Sequence, residues 1–168
     1  MKLTYSALYR ISTVNSARTL LLVTPSQYPL EMLSASITKE SSEASQTLLA
    51  GWRKVTSLGT PTGTTITPQL HDGASLPTGV AALQGAFKAN ITASEPTYGA
   101  AAQDADVVGL IGAEGFSTGI GWYFNPRTGV DRDRESLIMK VGDTWGLYLF
   151  TTPSAATSLV IRATFAPV

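Results

Sequence analysis

The chain has 168 residues, no cysteine and a formal net charge of zero, and charged residues make up only 14% of it. A chain of this length can bury a sizeable core in one domain, and without cysteine it cannot form disulfides or cysteine-based zinc sites. Globular chains usually contain about 25% charged residues. The sparse, balanced charge argues against a nucleic-acid groove, which needs clustered Lys and Arg. It is compatible with a surface covered by other protein, or with a domain kept soluble by Thr and Ser hydroxyls.

The N-terminal residues carry no export or membrane signal. Residues 1–13 alternate polar and apolar side chains and lack the continuous apolar segment of a signal peptide. The longest apolar run, residues 20–23, is far shorter than the roughly 20 residues that cross a bilayer. We therefore expect synthesis in the cytoplasm and no membrane partner.

Alternation of polar and apolar residues predicts β-strands from the N-terminus onward. The first strand places five side chains on one face: Leu3, Tyr5, Ala7, Tyr9 and Ile11. A turn at Asn15-Ser16 and a proline-containing break at residues 25–29 delimit two further strands, at 19–24 and 30–38. In the second of these, Leu33, Ala35 and Ile37 are predicted to share a face.

The segment 45–67 contains the clearest strand-loop-strand pattern. Its Thr and Val residues favour a pleated surface, and Gly59, Pro61 and Gly63 supply the turn between strands at 46–55 and 64–70. Residues 72–84 are predicted as a loop with at most one helical turn. A strand at 86–92 and a surface loop at 97–105 follow.

The second half of the chain predicts further strands at 106–111 and 119–124, joined by a glycine-rich connection, and then at 136–141, 144–151 and 158–165. Gly142-Asp143 resembles a tight hairpin connection. The amphipathic helices that an α/β fold would need are missing from the pattern. We therefore predict an all-β fold: one antiparallel β-sandwich domain over residues 1–168, jelly-roll-like, with residues 1–18 as a candidate interface strand or arm.

His71 is the only histidine, so any Ser-His-Asp triad would have to use it. Its neighbour Asp72 lies in the same predicted loop, where geometry rarely orients an imidazole, and a surface histidine is the favoured interpretation. Glu114 and Glu135 could form a glycosidase pair only if the fold brings them together. A β-sandwich hydrolase is therefore a third-ranked hypothesis, and we predict no catalytic residue.

The densest charge cluster is Asp131, Arg132, Asp133, Arg134 and Glu135. Its acids could hold a hard cation, but the interleaved arginines would neutralise them and the calcium-loop glycine is missing. Ion pairs between subunits, or a solvated loop, fit this composition better. The glycines between 109 and 121 do not have dinucleotide-motif spacing, so we expect no metal and no cofactor.

Aromatic residues occur where strands are predicted. Because Trp122, Tyr123 and Phe124 are consecutive, Tyr123 must face away from the other two on a strand. Trp52 lies on the predicted strand 46–55. Core packing is one interpretation of Trp52 and Trp122; an interface anchor or a sugar-stacking platform is the other.

Two segments carry a family resemblance: residues 14–38, with NSARTLL, and residues 45–68, with VTSLGTPTGT. They are similar to segments of small structural proteins encoded by tailed double-stranded-DNA phages. The resemblance covers about the first half of the chain at motif level, with a weaker similarity in the closing strands. It supplies no catalytic residue for any position in this sequence.

The resemblance implies a virion protein of the phage head, a capsid decoration (cement) protein with a jelly-roll-like body. The expected partners are two further copies, in a homotrimer, and the major capsid protein of the same virion. A tail or fibre module that binds host glycan through exposed aromatics such as Trp122 is the alternative.

Overall fold

The computed structural model describes residues 4–26, 28–40, 44–70, 86–99, 110–125 and 137–168. Within these ranges it contains thirteen strands and no helix. The strands are β1 (Tyr5–Val14), β2 (Arg18–Thr24), β3 (Leu30–Lys39), β4 (Thr47–Ser57), β5 (Thr62–Thr65), β6 (Gln69–Leu70), β7 (Ala86–Ala93), β8 (Thr97–Tyr98), β9 (Leu110–Ser117), β10 (Trp122–Phe124), β11 (Ile138–Met139), β12 (Trp145–Leu149) and β13 (Thr157–Pro167). The described part of the chain thus has no helix that is long and apolar enough to cross a membrane.

The strands form two sheets that pack face to face. Sheet A has the order β10-β3-β13-β1-β6, and β11 pairs with the same edge of β3 as β10. Sheet B has the order β5-β7-β2-β12-β4-β8, and β9 pairs with the same edge of β4 as β8. All pairings between described strands are antiparallel. The predicted antiparallel β-sandwich is confirmed.

Eight of the strands have the connectivity of a jelly roll. In chain order, β1, β2, β3, β4, β9, β10, β12 and β13 fall in sheets A, B, A, B, B, A, B and A. Sheet A therefore contains the series β1-β13-β3-β10, and sheet B the series β2-β12-β4-β9. Two sheets in this order form the double Greek key of jelly rolls. The strands β5 to β8 are an insertion between β4 and β9 that widens both sheets.

The core lies between the sheets and is formed by alternate residues of their strands. Four inward residues of β13 are at most 1% exposed: Leu159, Ile161, Ala163 and Phe165. From sheet B, Phe87 meets Phe165 edge to face, with ring centroids 5.5 Å apart. Burying a side chain of this size contributes about 1.5–3 kcal/mol. The contact between sheets is therefore a major source of stability.

The predicted strands at 19–24, 46–55, 86–92, 144–151 and 158–165 correspond to β2, β4, β7, β12 and β13. The first strand also has the predicted facing, because Tyr5, Ala7 and Ile11 are buried while Leu8 and Arg10 are exposed. β1 pairs with β13 along its length. Within the chain β1 is therefore a strand of the sandwich body.

A β-bulge in β3 overturns the prediction for Leu33. Thr164 lies opposite Ser34, but the next residue, Phe165, lies opposite Met32, so one residue of β3 is extra. Such a residue shifts the inward-facing set by one position. Met32 and Ala35 are consequently both buried, and Leu33 between them is only half-buried.

Four other predictions fail because strand pairing is long-range. Residues 97–98, predicted as part of a surface loop, form β8 and pair with β4. The predicted strand at 64–70 is two short strands, β5 in sheet B and β6 in sheet A. Gly142-Asp143 does not close a hairpin, since it joins β11 of sheet A to β12 of sheet B. Residues 112–117, predicted as a glycine-rich connection, belong to β9 and pair with β4.

We predict that Ile11→Ala lowers the free energy of unfolding by about 2–5 kcal/mol, because Ile11 is fully enclosed and its removal leaves a cavity. Leu8→Ala on the same strand should change it by no more than about 0.5 kcal/mol, since Leu8 is exposed. Urea unfolding measures both. Equally small effects would show that β1 is not packed into the body.

Candidate functional site

Trp52 and Trp122, for which the sequence allows either core packing or an interface anchor, are part of the core. Trp52 is 0% exposed, and Trp122 is 1% exposed and stacks on Phe124 with ring centroids 5.9 Å apart. Neither ring is accessible to a partner or to a sugar in the folded chain. Both side chains therefore serve core packing. The prediction that Tyr123 faces away from Trp122 is confirmed, because the Tyr123 side chain is exposed.

The other predicted site residues lie outside the part of the chain that the structure describes. These are Asp131, Arg132, Asp133 and Arg134, together with His71, Asp72, Glu135 and the side chain of Glu114. Among the residues that are described, no group of three His, Asp or Glu side chains could hold a metal ion. The candidate site must therefore be sought on the described surface.

A segment of the insertion crosses sheet B and is fixed there by Tyr98. The Tyr98 ring lies over Gly146 of β12, where an added Cβ would come within 2.9 Å of the ring carbons. The Arg53 guanidinium stacks on this ring at 4.7 Å from its centroid and donates to the Gly99 carbonyl at 2.9 Å. Tyr148 completes the cluster, with its ring 5.3 Å from that of Tyr98.

Polar contacts hold the same segment to β2. The Glu95 carboxylate accepts from the backbone N–H of Thr19 at 3.0 Å and from its hydroxyl at 2.5 Å. The Thr19 hydroxyl also hydrogen-bonds the Tyr98 hydroxyl. Burial raises the pKa of Tyr98 and, more weakly, that of Tyr148. These contacts stabilise the fold and occupy the groups involved, so this surface is not the candidate site.

We predict that stability decreases at alkaline pH. Burial raises the pKa of Tyr98 and raises that of Tyr5 to about 12, whereas an unfolded tyrosine ionises near 10. The stability contributed by the neutral phenols is complete below pH 10 and is lost as the pH rises through the folded-state values. Urea unfolding at about pH 8 and about pH 11 should show this loss, and Tyr98→Phe should reduce it. An identical loss in Tyr98→Phe would contradict the assignment.

At one end of the sandwich, hydrogen bonds of Gln46 connect the start of β4 to two neighbouring segments. Its side-chain oxygen accepts from the Ser154 backbone at 2.6 Å, and its amide nitrogen donates to the Ala155 carbonyl at 2.8 Å. Its backbone N–H donates to the Thr118 hydroxyl at 2.9 Å. The adjacent β9–β10 turn presents Ile120, which is 78% exposed. Ile120 therefore provides an exposed apolar side chain at this end of the sandwich.

The opposite end gathers four exposed apolar or aromatic side chains, which we call the end patch: Tyr28, Ile138, Val141 and Val168. Tyr28 lies just before β3, and the other three residues adjoin Pro25, Pro29 or the start of β3. Ile138 pairs with Glu31, Val141 precedes Gly142, whose N–H donates to the Pro25 carbonyl, and the Val168 N–H donates to the Pro29 carbonyl. Their exposed fractions lie between 45% and 57%.

The outer face of sheet A carries two shallow grooves, with volumes of about 540 and 410 Å³. Tyr123 and Asn125 line the first, Leu8 and Gln69 line the second, and Arg162 lines both. Alternation within each strand predicts which side chains face outward. It does not predict which strands are neighbours, so sequence alone could not bring these residues together.

Comparisons with known proteins do not identify the chain. None of the protein-family models, curated proteins or solved structures compared with it matches.

Proposed function

We propose that this chain is a non-enzymatic virion structural protein of a tailed phage, a head decoration protein that forms homotrimers and stabilises the capsid lattice. The end patch supports this proposal, since four partly exposed apolar or aromatic side chains lie near the same end of the sandwich. Apolar surface gathered in this way is typical of protein–protein contacts, whereas apolar side chains scattered singly are ordinary.

The local charge suits a protein partner. Residues 25–30 contain no charged side chain, and the neighbouring residues 138–143 contain only Lys140 and Asp143. Asp143 is paired with Lys54, at 2.8 Å. Glu31 beside Ile138 is already buried, and Lys140 is exposed and forms no salt bridge with another described residue. A partner that covers the patch would therefore need to supply an acidic group for Lys140, because desolvating an unpaired charge is costly.

The jelly-roll body suits a cement role because it anchors two of the four patch residues in or directly beside its strands. Ile138 lies in β11, which pairs with β3, and Val168 directly follows β13 and donates its N–H to the Pro29 carbonyl. A trimer would present three such patches to a repeating lattice. Three weak contacts made together bind far more tightly than one.

We predict that Val141→Ser or Tyr28→Ser weakens binding to bare capsids. Removing a half-exposed apolar contact costs about 1 kcal/mol per copy, or about 3 kcal/mol per trimer, which corresponds to about 100-fold in affinity. Co-sedimentation with purified capsids lacking decoration protein measures the change. Ile120→Ser removes an equally apolar side chain at the opposite end and should bind as the wild type does.

The assembly state is tested separately, by size-exclusion chromatography with light scattering and by electron microscopy of the decorated capsids. The proposal expects a trimer in solution and added density at three-fold positions. A monomer at micromolar concentration that leaves capsids undecorated would overturn it. Equal losses in Val141→Ser and Ile120→Ser would show that the end patch is not the contact.

A further inference from the structure

Strand register places four outward side chains in one row across sheet A. Tyr123 of β10 lies opposite Ser36 of β3, Ser36 lies opposite Arg162 of β13, and Arg162 lies opposite Leu8 of β1. Neighbouring strands are about 4.8 Å apart, so the row spans roughly 14 Å. Residues that are distant in the sequence thus form one continuous feature.

A second row runs beside the first and consists entirely of hydroxyl and amide side chains. Its members, in order across the sheet, are Ser34, Thr164, Ser6 and Gln69. The Ser6 and Thr164 hydroxyls are 3.1 Å apart and hydrogen-bonded. The two grooves lie along these two rows and meet at Arg162.

Arg162 is the only charged side chain among the described residues that line the two grooves. It is exposed, and it forms no salt bridge with another described residue. Arg10, which faces outward on the same sheet, is instead paired with Glu40. The planar guanidinium of Arg162 is therefore well placed to bind a carboxylate or sulfate with two parallel hydrogen bonds.

Tyr123 supplies an aromatic surface at one end of the row. Its side chain is 64% exposed. A Cβ added to Gly121 would lie 3.3 Å from the Tyr123 ring, so the ring rests against this glycine, whose φ is +90°. An aromatic ring supported in this way can stack on the apolar face of a sugar, while hydroxyl and amide groups alongside bind its hydroxyls.

We propose that this surface, the row Tyr123–Ser36–Arg162–Leu8 together with the hydroxyl row beside it, binds an acidic oligosaccharide. Arg162 binds the acidic group and Tyr123 stacks on a sugar ring. The accessible members of the hydroxyl row, Ser34, Ser6 and Gln69, bind sugar hydroxyls, whereas Thr164 is buried and hydrogen-bonds Ser6. A single cation is too few for nucleic acid, whose binding depends on many phosphate contacts. The proposal does not depend on capsid binding, because none of the four end-patch residues lines either groove.

The test uses isothermal titration calorimetry of the full chain with a hyaluronan tetrasaccharide and with its carboxyl-reduced, neutral counterpart. We expect the acidic probe to bind at least tenfold more tightly than the neutral one. Arg162→Gln should weaken binding of the acidic probe by about 10- to 100-fold, the usual range for a lost charged hydrogen bond, and should remove the preference between the two probes. Tyr123→Ala should weaken both probes by a similar factor of about five.

Arg10→Gln is the matched control, since it removes an outward arginine from the same sheet without altering the grooves. It should bind as the wild type does, and all variants should retain the wild-type melting temperature within a few degrees. Equal affinity for both probes, no saturable binding of either, or an equal loss in Arg10→Gln would overturn the proposal. A change of oligomeric state in Arg162→Gln would also overturn it, because the face would then be a contact between copies of the chain.

Discussion

The pairing of β13 between β1 and β3 is the interaction on which the rest of the structure depends. It joins β13 to β1 and β3, so sheet A forms only when segments that are distant in the sequence pair with each other. Its inward residues form the centre of the core, and Phe165 meets Phe87 of the opposite sheet. Its outward residues, above all Arg162, set the rows on the outer face. One register therefore fixes both the stability of the fold and the chemistry of its surface.

The insertion between β4 and β9 makes the two sheets unequal. Its segment around Glu95 and Tyr98 crosses sheet B and is held by Thr19 and Arg53, with a small cluster of Leu22, Val55 and Ile91 packed beneath it. On sheet A the described residues leave the two grooves open. The end-patch residues line neither groove, so capsid binding and saccharide binding would use different residues of the same sandwich.

Alternation of polar and apolar residues predicts the strands that have one polar and one apolar face, and these strands are enough to predict the fold class. It fails at Leu33, because the bulge in β3 interrupts the alternation of inward and outward residues. It also fails in β9, because the glycines of this strand weaken the polar-apolar pattern. It also fails for connections, because Gly142 joins different sheets and no local signal distinguishes this from a hairpin. For the candidate site, alternation correctly predicts that the Tyr123 side chain faces outward. The meeting of Tyr123 with Arg162 and Leu8 depends on long-range pairing, which the sequence pattern does not contain.

The register of β1 against β13 is tested most directly by engineered cysteines, since the chain has none of its own. Directly opposite residues in an antiparallel pair have Cα atoms about 4.5–5.5 Å apart, within the range a disulfide spans. The double variant Leu8→Cys, Arg162→Cys should therefore oxidise to an intramolecular disulfide, seen as a monomer of altered mobility on a non-reducing gel. The shifted pair Leu8→Cys, Val160→Cys should do so poorly. Preferential crosslinking of the shifted pair, or a disulfide only between chains, would contradict the register and with it the surface that we assign to ligand binding.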